Sequence, residues 1–255
     1  MNKKRILDIL IVILLGIMLF SGYKLYTNYI DAKHSKEQYQ QLEEIVNQQT
    51  EAKELTAYEK YKEIYQQNND FIGWIYIPDT ALSYPVMHTP KIPEYYLRRD
   101  FNGKYSIAGV PFMDHKCTVD QSDITIIYGH NMMNGTMFSI IEDYMKQSYW
   151  QEHRYIGFDT MNGYGIYEVA ICVKVDLQED QFNYIESVDF ASQEEFDSYI
   201  AQFMELSRFD TGVQLSYGDK LLLISTCETN YEDGRCVVIA KKVSDENLST
   251  SYLRY

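Results

Sequence analysis

The sequence predicts a mainly β fold, a closed or nearly closed barrel of short strands to which helices are added. Two observations support this prediction. Short apolar segments separated by turn residues begin abruptly at residue 71 and recur to residue 243, and strands this numerous, at this spacing, favour a barrel rich in antiparallel pairs. Before them, residues 26–69 contain no glycine or proline and have the apolar periodicity of helices.

Eight segments have the pattern of strands bounded by turn residues. The fifth and sixth are joined through Asn162-Gly163, a sequence that favours a tight hairpin turn. The predicted strands are residues 73–77, 82–87, 106–113, 123–128, 155–160, 164–175, 220–226 and 235–243.

Two helices are predicted to interrupt the strands, at residues 136–145 and 192–206. Apolar residues recur on one face of each helix, as expected for helices that pack on a core. Ser192 and Glu195 have the spacing of a capping box, in which each side chain accepts a hydrogen bond from the backbone of the other residue.

The N-terminus departs from the composition of an ordinary globular protein. Residues 1–5 are basic, and residues 6–23 are almost wholly apolar, close to the length that spans a bilayer as a helix. A cleavable signal peptide is the alternative, because Lys3, Lys4 and Arg5 would serve as its basic region. No small-x-small cleavage sequence follows, so an uncleaved transmembrane signal-anchor is favoured. The positive-inside rule then places the N-terminus in the cytoplasm and the rest of the chain outside the cell.

Residues 24–69 are predicted to form a helical stalk. Leu42 and Val46 recur at helical spacing, so one stripe of the stalk can pack on the body that follows. We expect two helices with a break near residues 48–51. The stalk would separate residues 70–255, the expected catalytic domain, from the cell membrane.

Charge and cysteine content exclude several function classes. The formal net charge of -14 argues against broad electrostatic attraction to nucleic acid. Four cysteines, at spacings that match no zinc or redox motif, permit disulfides in an exported protein, although a domain of this size does not need them. The simpler interpretation of Cys117, Cys172 and Cys236 is that they are small buried apolar residues.

The fourth cysteine has a different setting. Residues 221–224 form a continuous apolar run, as expected for a strand buried on both faces, and the run ends in Ser225 and Thr226 immediately before Cys227. A polar loop then leads to Arg235, which begins the last predicted strand. If the two strands pair as an antiparallel hairpin, Cys227 lies near Arg235.

This placement suits nucleophilic catalysis. Cysteine attacks a carbonyl as its thiolate, and only about a few per cent of an unperturbed thiol is ionised near pH 7, so a base or a cation must assist. His130 is the candidate acid and base, because it follows the apolar residues 124–127 through Gly129, whose lack of a side chain allows close approach. Arg235 suits the oxyanion of a tetrahedral intermediate, and the backbone N–H of Glu228 is a second candidate donor.

Each of these residues alone has a simpler explanation. A cysteine at a strand end is usually structural, a single histidine is usually a core or surface residue, and an arginine that begins a strand is usually solvated. Their joint placement favours an acyl-transfer enzyme. His115 and Cys117 form the rival Cys/His pair by proximity, but no third group orients them.

The site residues resemble those of the sortases, the membrane-anchored cysteine transpeptidases of Gram-positive bacteria. Residues 223–227 (LISTC) are similar to the family signature Thr-Leu-x-Thr-Cys, residues 129–131 (GHN) to the context of its histidine, and Arg235 to its arginine on the next strand. Leu223 and Ile224 replace the Thr and Leu of the signature, a change within the apolar strand that leaves the chemistry intact.

The resemblance extends to class B of the family. The helical N-terminal extension and the late helix at residues 192–206 are similar to the additions of that class. Four further segments of this chain resemble the N-terminal strands of class B. They are residues 71–77 (FIGWIYI), 84–86 (YPV), 95–97 (YYL) and 109–114 (GVPFMD).

The resemblance implies an eight-stranded sortase barrel and a two-step reaction that needs no metal or other cofactor. Cys227 would attack the Thr–Gly or Thr–Asn bond of a C-terminal sorting motif on a secreted surface protein and form an acyl-enzyme thioester. His130 would protonate the departing amine and then activate an amine of the peptidoglycan cross-bridge or stem peptide. Arg235 would stabilise the oxyanions or position the substrate. Ser225 and Thr226 are candidate substrate contacts, although packing within the strand explains them equally well.

Three other functions stay open at this point. A papain-like cysteine peptidase needs the same residue types, but it usually places its cysteine at a helix start early in the chain. A pilus-polymerising sortase differs in the amine that it accepts. A non-enzymatic membrane-tethered scaffold fits the stalk and the acidic surface but not the placement of the site residues.

Overall fold

The computed structural model describes residues 3–50, 55–177, 183–227 and 234–243. Eight strands form a closed barrel in the order β1-β2-β3-β4-β7-β8-β6-β5, which confirms the predicted fold class. The strands are β1 (Phe71–Tyr76), β2 (Ser83–Met87), β3 (Phe112–Met113), β4 (Ile124–Tyr128), β5 (Tyr155–Thr160), β6 (Ile166–Asp176), β7 (Leu221–Cys227) and β8 (Gly234–Lys242).

Strand β7 has the most enclosed position in the barrel. It pairs in parallel with β4 on one side and antiparallel with β8 on the other, and its residues 221–224 are at most 1% exposed. A parallel pair cannot be joined by a short turn, and here the connection from β4 to β7 includes β5, β6 and three helices. The continuous apolar run at residues 221–224 is therefore explained by burial on both faces.

The predicted strand at residues 106–113 is wrong except for its last two residues, which form β3. Its earlier residues instead pack against a short 3-10 helix, Tyr95–Arg98, and the backbone N–H of Ser106 donates to the carbonyl of Arg98 at 3.1 Å. Gly109 has a φ of 60°, a left-handed conformation that interrupts an extended strand.

Two helices precede the barrel, α1 (Lys3–Thr50) and α2 (Ala57–Gln67). They correspond to the two predicted helices, and residues 51–54 between them lie outside the described ranges. The apolar residues in the first half of α1 are exposed. Among the described residues, α1 is the one helix that is long and apolar enough to cross a membrane.

The second half of α1 packs on the barrel together with α2. Tyr39, Leu42 and Val46 of α1 are buried, and Tyr61 and Ile64 of α2 have no exposed surface. The predicted apolar stripe is therefore a contact surface, and this part of α1 lies on the barrel rather than apart from it.

The helix predicted at residues 136–145 begins later than expected and is a 3-10 helix over Ser139–Met145. Met137 has a φ of 57°, which is incompatible with a helix that starts before it. A short helix that the sequence did not predict, α3 (Gln147–Glu152), follows directly.

The late helix, α4 (Gln193–Leu206), lies where the sequence predicts it. The Ser192 hydroxyl accepts a hydrogen bond from the backbone N–H of Glu195 at 3.3 Å, as in a capping box. The second half of the capping-box prediction is wrong, because the Glu195 carboxylate accepts from the N–H of Ala191, one residue earlier, at 2.9 Å.

A glycine in β5 makes a testable contribution to barrel closure. Gly157 is paired with Tyr76 of β1, and a β-carbon at residue 157 would overlap the Tyr76 ring. We expect Gly157→Ala to lower the free energy of unfolding by about 1–3 kcal/mol, because the ring and the strand must shift. Urea unfolding followed by the fluorescence of the buried Trp74 and Trp150 measures this change.

Gly163→Ala is the matched control, since no atom lies within 4 Å of its β-carbon position. Equal loss of stability in the two variants would contradict the close contact between β5 and β1.

Candidate active site

Strands β7 and β8 place Cys227 and Arg235 opposite each other. The two residues are Cα partners in the antiparallel register that runs from Leu221–Lys241 to the end of β7. The prediction that an antiparallel hairpin brings them together is therefore confirmed at the level of the backbone. Glu228, predicted as a backbone donor, lies outside the described residues.

Strand β4 brings His130 to the same rim. Tyr128 pairs with Ser225 in the parallel register, and the Thr226 hydroxyl donates to the carbonyl of Gly129 at 2.7 Å, so the alignment continues beyond the end of β4. Continued by one more residue, this register aligns His130 with Cys227. Adjacent strands lie about 4.8 Å apart, so this register would place the backbone of Cys227 between those of His130 and Arg235.

The ring of His130 is oriented by a backbone carbonyl. Its Nε2 lies 2.7 Å from the carbonyl oxygen of Leu97, which can only accept a hydrogen bond. Nε2 therefore carries a proton, and Nδ1 is the nitrogen that can exchange one. The residue before His130, Gly129, lets the ring of Phe138 pack against this backbone, because a β-carbon at residue 129 would lie 2.5 Å from that ring.

Burial lowers the pKa of His130 below its ordinary value of 6.5, and the charge of Arg98 acts in the same direction. The hydrogen bond to the Leu97 carbonyl opposes this shift without reversing it. His130 is therefore neutral near pH 7 and can accept a proton. Because its folded pKa is lower than its unfolded pKa, its contribution to stability is present above about pH 6.5 and is lost as the pH falls through the folded value.

A cavity of about 430 Å³ opens at this rim and collects the predicted site residues. His130, Ser225, Thr226 and Arg235 all line it. Apolar and aromatic side chains form much of the remaining wall, which comprises Pro93, Glu94, Leu97, Phe112, Asp114, His115, Tyr128, Gly129, Leu177, Asn183, Tyr184 and Ile185.

Ser225 and Thr226 are each only 2% exposed, and both already have hydrogen-bond partners. The Ser225 hydroxyl lies 2.8 Å from the hydroxyl of Tyr184, and Thr226 donates to the carbonyl of Gly129. These contacts fix the wall of the cavity, and a direct role in substrate binding stays a prediction.

Sequence reasoning missed a polar group on the cavity wall. The Tyr128 hydroxyl donates to Asp114 at 2.8 Å, and the ring Nδ1 of His115 lies 3.4 Å from the same carboxyl group. The one sequence signal for this polar group was the position of Tyr128 beside Gly129, two residues before His130. Asp114 and His115 follow β3, and only the fold brings them to the cavity.

The structure separates the rival pair of His115 and Cys117. His115 lines the cavity, whereas the Cys117 sulfur is buried and lies 3.4 Å from the carbonyl of Ile124. Burial raises the pKa of the Cys117 thiol to about 12, so it carries almost no thiolate near neutral pH. Cys117, Cys172 and Cys236 are all buried, as the simpler interpretation predicted.

The described residues contain no group of three or more His, Cys, Asp or Glu side chains arranged to hold a metal ion. That the reaction requires no metal or other cofactor stays a prediction from the chemistry of the site residues.

Comparisons with known proteins identify the family. The family model described as Sortase domain matches residues 75–243. Sortase B of Staphylococcus aureus (strain NCTC 8325 / PS 47) is 30% identical over 246 residues, which cover 94% of this chain and 98% of the relative. Sortase B of Listeria monocytogenes serovar 1/2a is 29% identical over 240 residues, 92% of this chain and 96% of the relative.

Solved structures agree with the sequence relatives. A Staphylococcus aureus sortase B-substrate complex has a TM-score of 0.77 to this chain at 28% identity, and the match covers 85% of this chain and 99% of the other. The chain therefore belongs to the sortase family, the cysteine transpeptidases. Its similarity over nearly the full length of two sortase B proteins places it in class B.

The ionisation of His130 can be tested without a contribution from the neighbouring thiol. In Cys227→Ala we expect the pKa of His130 to lie below 6.5, because burial and Arg98 disfavour the imidazolium. An NMR titration of the full chain, labelled with ¹⁵N-histidine in detergent micelles, measures the midpoint and shows which ring nitrogen carries the proton. A midpoint at or above 6.5, or a neutral ring protonated on Nδ1, would contradict the described environment.

Proposed function

We propose that this protein is a membrane-anchored class B sortase. It cleaves a C-terminal sorting motif of secreted surface proteins through an acyl-enzyme thioester and transfers them to an amine of cell-wall peptidoglycan. The alignment of His130, Cys227 and Arg235 across β4, β7 and β8 is the observation that supports this proposal most directly. A sortase B of Staphylococcus aureus has been solved as a substrate complex, which supports a peptide-like substrate for this chain.

Cys227 is the proposed nucleophile. Its sulfur attacks the carbonyl carbon of the Thr–Gly or Thr–Asn bond in the sorting motif, the C–N bond breaks, and a thioester forms. The position of Cys227 supports this role, because β7 is paired on both sides and its backbone cannot shift independently of the barrel. A fixed nucleophile lowers the entropy lost in reaching the transition state.

His130 is the proposed general acid and base. As a neutral ring it takes the thiol proton when the sulfur attacks, and it then donates that proton to the departing amine. In the second step it takes a proton from the incoming peptidoglycan amine, which attacks the thioester and releases Cys227. The bond from Nε2 to the Leu97 carbonyl supports this role, since it leaves Nδ1 for each transfer.

Arg235 is the proposed partner of the oxyanion that forms in both tetrahedral intermediates. Its guanidinium group is always charged and lines the cavity, and its Nη1 donates to the carbonyl of Gly234 at 2.9 Å, which restrains the side chain. The backbone N–H of Glu228 is proposed as a second donor, and Ser225 and Thr226 as contacts to the sorting motif.

The proposed location of the protein in the cell membrane rests on the apolar first half of α1. Residues 6–23 would span the membrane once, with residues 1–5 in the cytoplasm and the catalytic domain, residues 70–255, outside the cell. Asp31 already contacts the barrel, and eight helical residues after residue 23 extend about 12 Å. The proposal therefore places the barrel close to the membrane surface, with residues 24–69 as its connection.

A peptide assay tests the reaction. The full chain in detergent micelles is given quenched fluorescent peptides that carry candidate sorting motifs, with and without a glycine or stem-peptide amine. We expect cleavage that is absent in Cys227→Ala, because no nucleophile remains. It should fall about 10²–10⁴-fold in His130→Ala and about 10²–10³-fold in Arg235→Ala, the usual effects of removing an acid-base group and an oxyanion donor.

The same assay distinguishes the rival functions. A joined product with the peptidoglycan-type amine supports cell-wall anchoring, whereas joining only to a lysine side chain of a pilin-like peptide indicates a pilus-polymerising sortase. Hydrolysis of casein without motif preference indicates a peptidase. Full turnover in Cys227→Ala would show that the proposed nucleophile is wrong.

A further inference from the structure

Helix α1 is bonded to the barrel through one loop in particular, residues 106–110. The Asp31 carboxylate accepts a hydrogen bond from the backbone N–H of Ile107 at 2.8 Å, and the hydroxyls of Ser35 and Ser106 lie 3.0 Å apart. Farther along α1, the Tyr39 hydroxyl donates to the carbonyl of Gly109 at 2.6 Å. Three polar contacts thus fasten consecutive turns of α1 to this loop.

The loop at residues 106–110 packs directly against the backbone that orients His130. A β-carbon on Gly109 would lie 2.5 Å from the Leu97 carbonyl oxygen, so the absence of a side chain at residue 109 lets the loop lie directly against that carbonyl. The Val110 N–H donates to the carbonyl of Tyr96 at 3.3 Å. The Leu97 carbonyl is the group that accepts the hydrogen bond from His130 Nε2.

Tyr39 is also connected, through Tyr84, to the backbone of His130. Its ring packs edge-on against the ring of Tyr84 at a centroid distance of 5.5 Å, and the Tyr84 hydroxyl accepts from the backbone N–H of Met137 at 3.1 Å. The next residue, Phe138, donates its N–H to the carbonyl of His130 at 2.9 Å. Tyr39 therefore lies between two chains of contacts that end on the ring and on the backbone of His130.

We propose that Tyr39 is a positioning residue for His130. Its hydroxyl holds Gly109 in place, and Gly109 in turn holds the Leu97 carbonyl against which it packs. That carbonyl then keeps the imidazole of His130 in its Nε2-protonated form. The catalytic consequence rests on the proposed function of His130. The positioning itself concerns the pKa and the tautomer of the His130 imidazole, and both can be measured without substrate.

The proposal gives a specific expectation for Tyr39→Phe. The phenylalanine ring keeps the contact with Tyr84 but releases the Gly109 carbonyl, so the Leu97 carbonyl gains freedom and its bond to His130 weakens. That bond favours the imidazolium, so the pKa of His130 should fall further. The charged or titratable side chains around His130 are unchanged in this variant. They are Arg98 beside it and, on the cavity wall, Glu94, Asp114, His115, Tyr128, Tyr184 and Arg235.

Tyr144→Phe is the matched control. The Tyr144 hydroxyl is also buried and also donates to a backbone carbonyl, that of His153, at 2.8 Å. Neither residue lines the cavity. The two variants thus remove the same kind of hydrogen bond, and only Tyr39 is bonded to the loop that packs on the Leu97 carbonyl.

The experiment uses the full chain labelled with ¹⁵N-histidine in detergent micelles, with Cys227→Ala as the background for NMR and the native cysteine for kinetics. In Tyr39→Phe we expect a lower His130 midpoint and a mixture of the two neutral tautomers, with kcat about tenfold lower and KM nearly unchanged. In Tyr144→Phe the His130 signals should match those of the parent. Ser35→Ala, which removes a neighbouring contact to the same loop, replaces Tyr39→Phe if the latter does not fold.

An unchanged midpoint and tautomer of His130 in Tyr39→Phe would overturn the proposal. Equal changes in Tyr39→Phe and Tyr144→Phe would also overturn it, because the effect would then be a general loss of stability. If the parent protein shows no transpeptidation, the proposed function fails while the NMR comparison still decides the positioning role.

Discussion

The double pairing of β7 is the constraint on which the rest of this structure depends. The strand is hydrogen-bonded to β4 and to β8, and its apolar residues have almost no exposed surface, so it cannot slip by one residue without exchanging the side chains that pack on its two buried faces. The register is therefore strongly specified, and with it the alignment of His130, Cys227 and Arg235. A reactive residue at the end of such a strand gains its fixed position from packing that continues through the whole barrel.

The strands set the positions of the site residues, whereas the loops and helices determine their chemical state. His130 follows β4, but the carbonyl that selects its protonated nitrogen belongs to Leu97 in a short 3-10 helix. The loop behind that helix is in turn bonded to α1. Helix α1, an addition to the barrel, can therefore influence His130 without altering the strand that carries Cys227.

Local patterns predicted the hairpin of β7 and β8 correctly, because Cys227 and Arg235 are close in sequence and the apolar run before them indicates a buried strand. The parallel pairing with β4 has no such local signal, since the partners are about a hundred residues apart. The Leu97 carbonyl could not be found from sequence at all, because a backbone acceptor exists at every residue. The left-handed Gly109 interrupts a predicted strand and the left-handed Met137 delays the start of a predicted helix, because tertiary contacts override the local preference there.

The long connection between the parallel strands β4 and β7 also constrains the order in which the chain can fold. Gly129 and Thr226, which join β4 to β7, are 97 residues apart, and the pair of β7 and β8 must enter between β4 and β6. Contacts across such long separations form slowly, because the chain loses much entropy before they are made. A chain synthesised from its N-terminus cannot close the barrel until its last two strands are present. Cys227 thus joins His130 only after β7 and β8 have been made, so no fragment that ends before β8 can carry the assembled site.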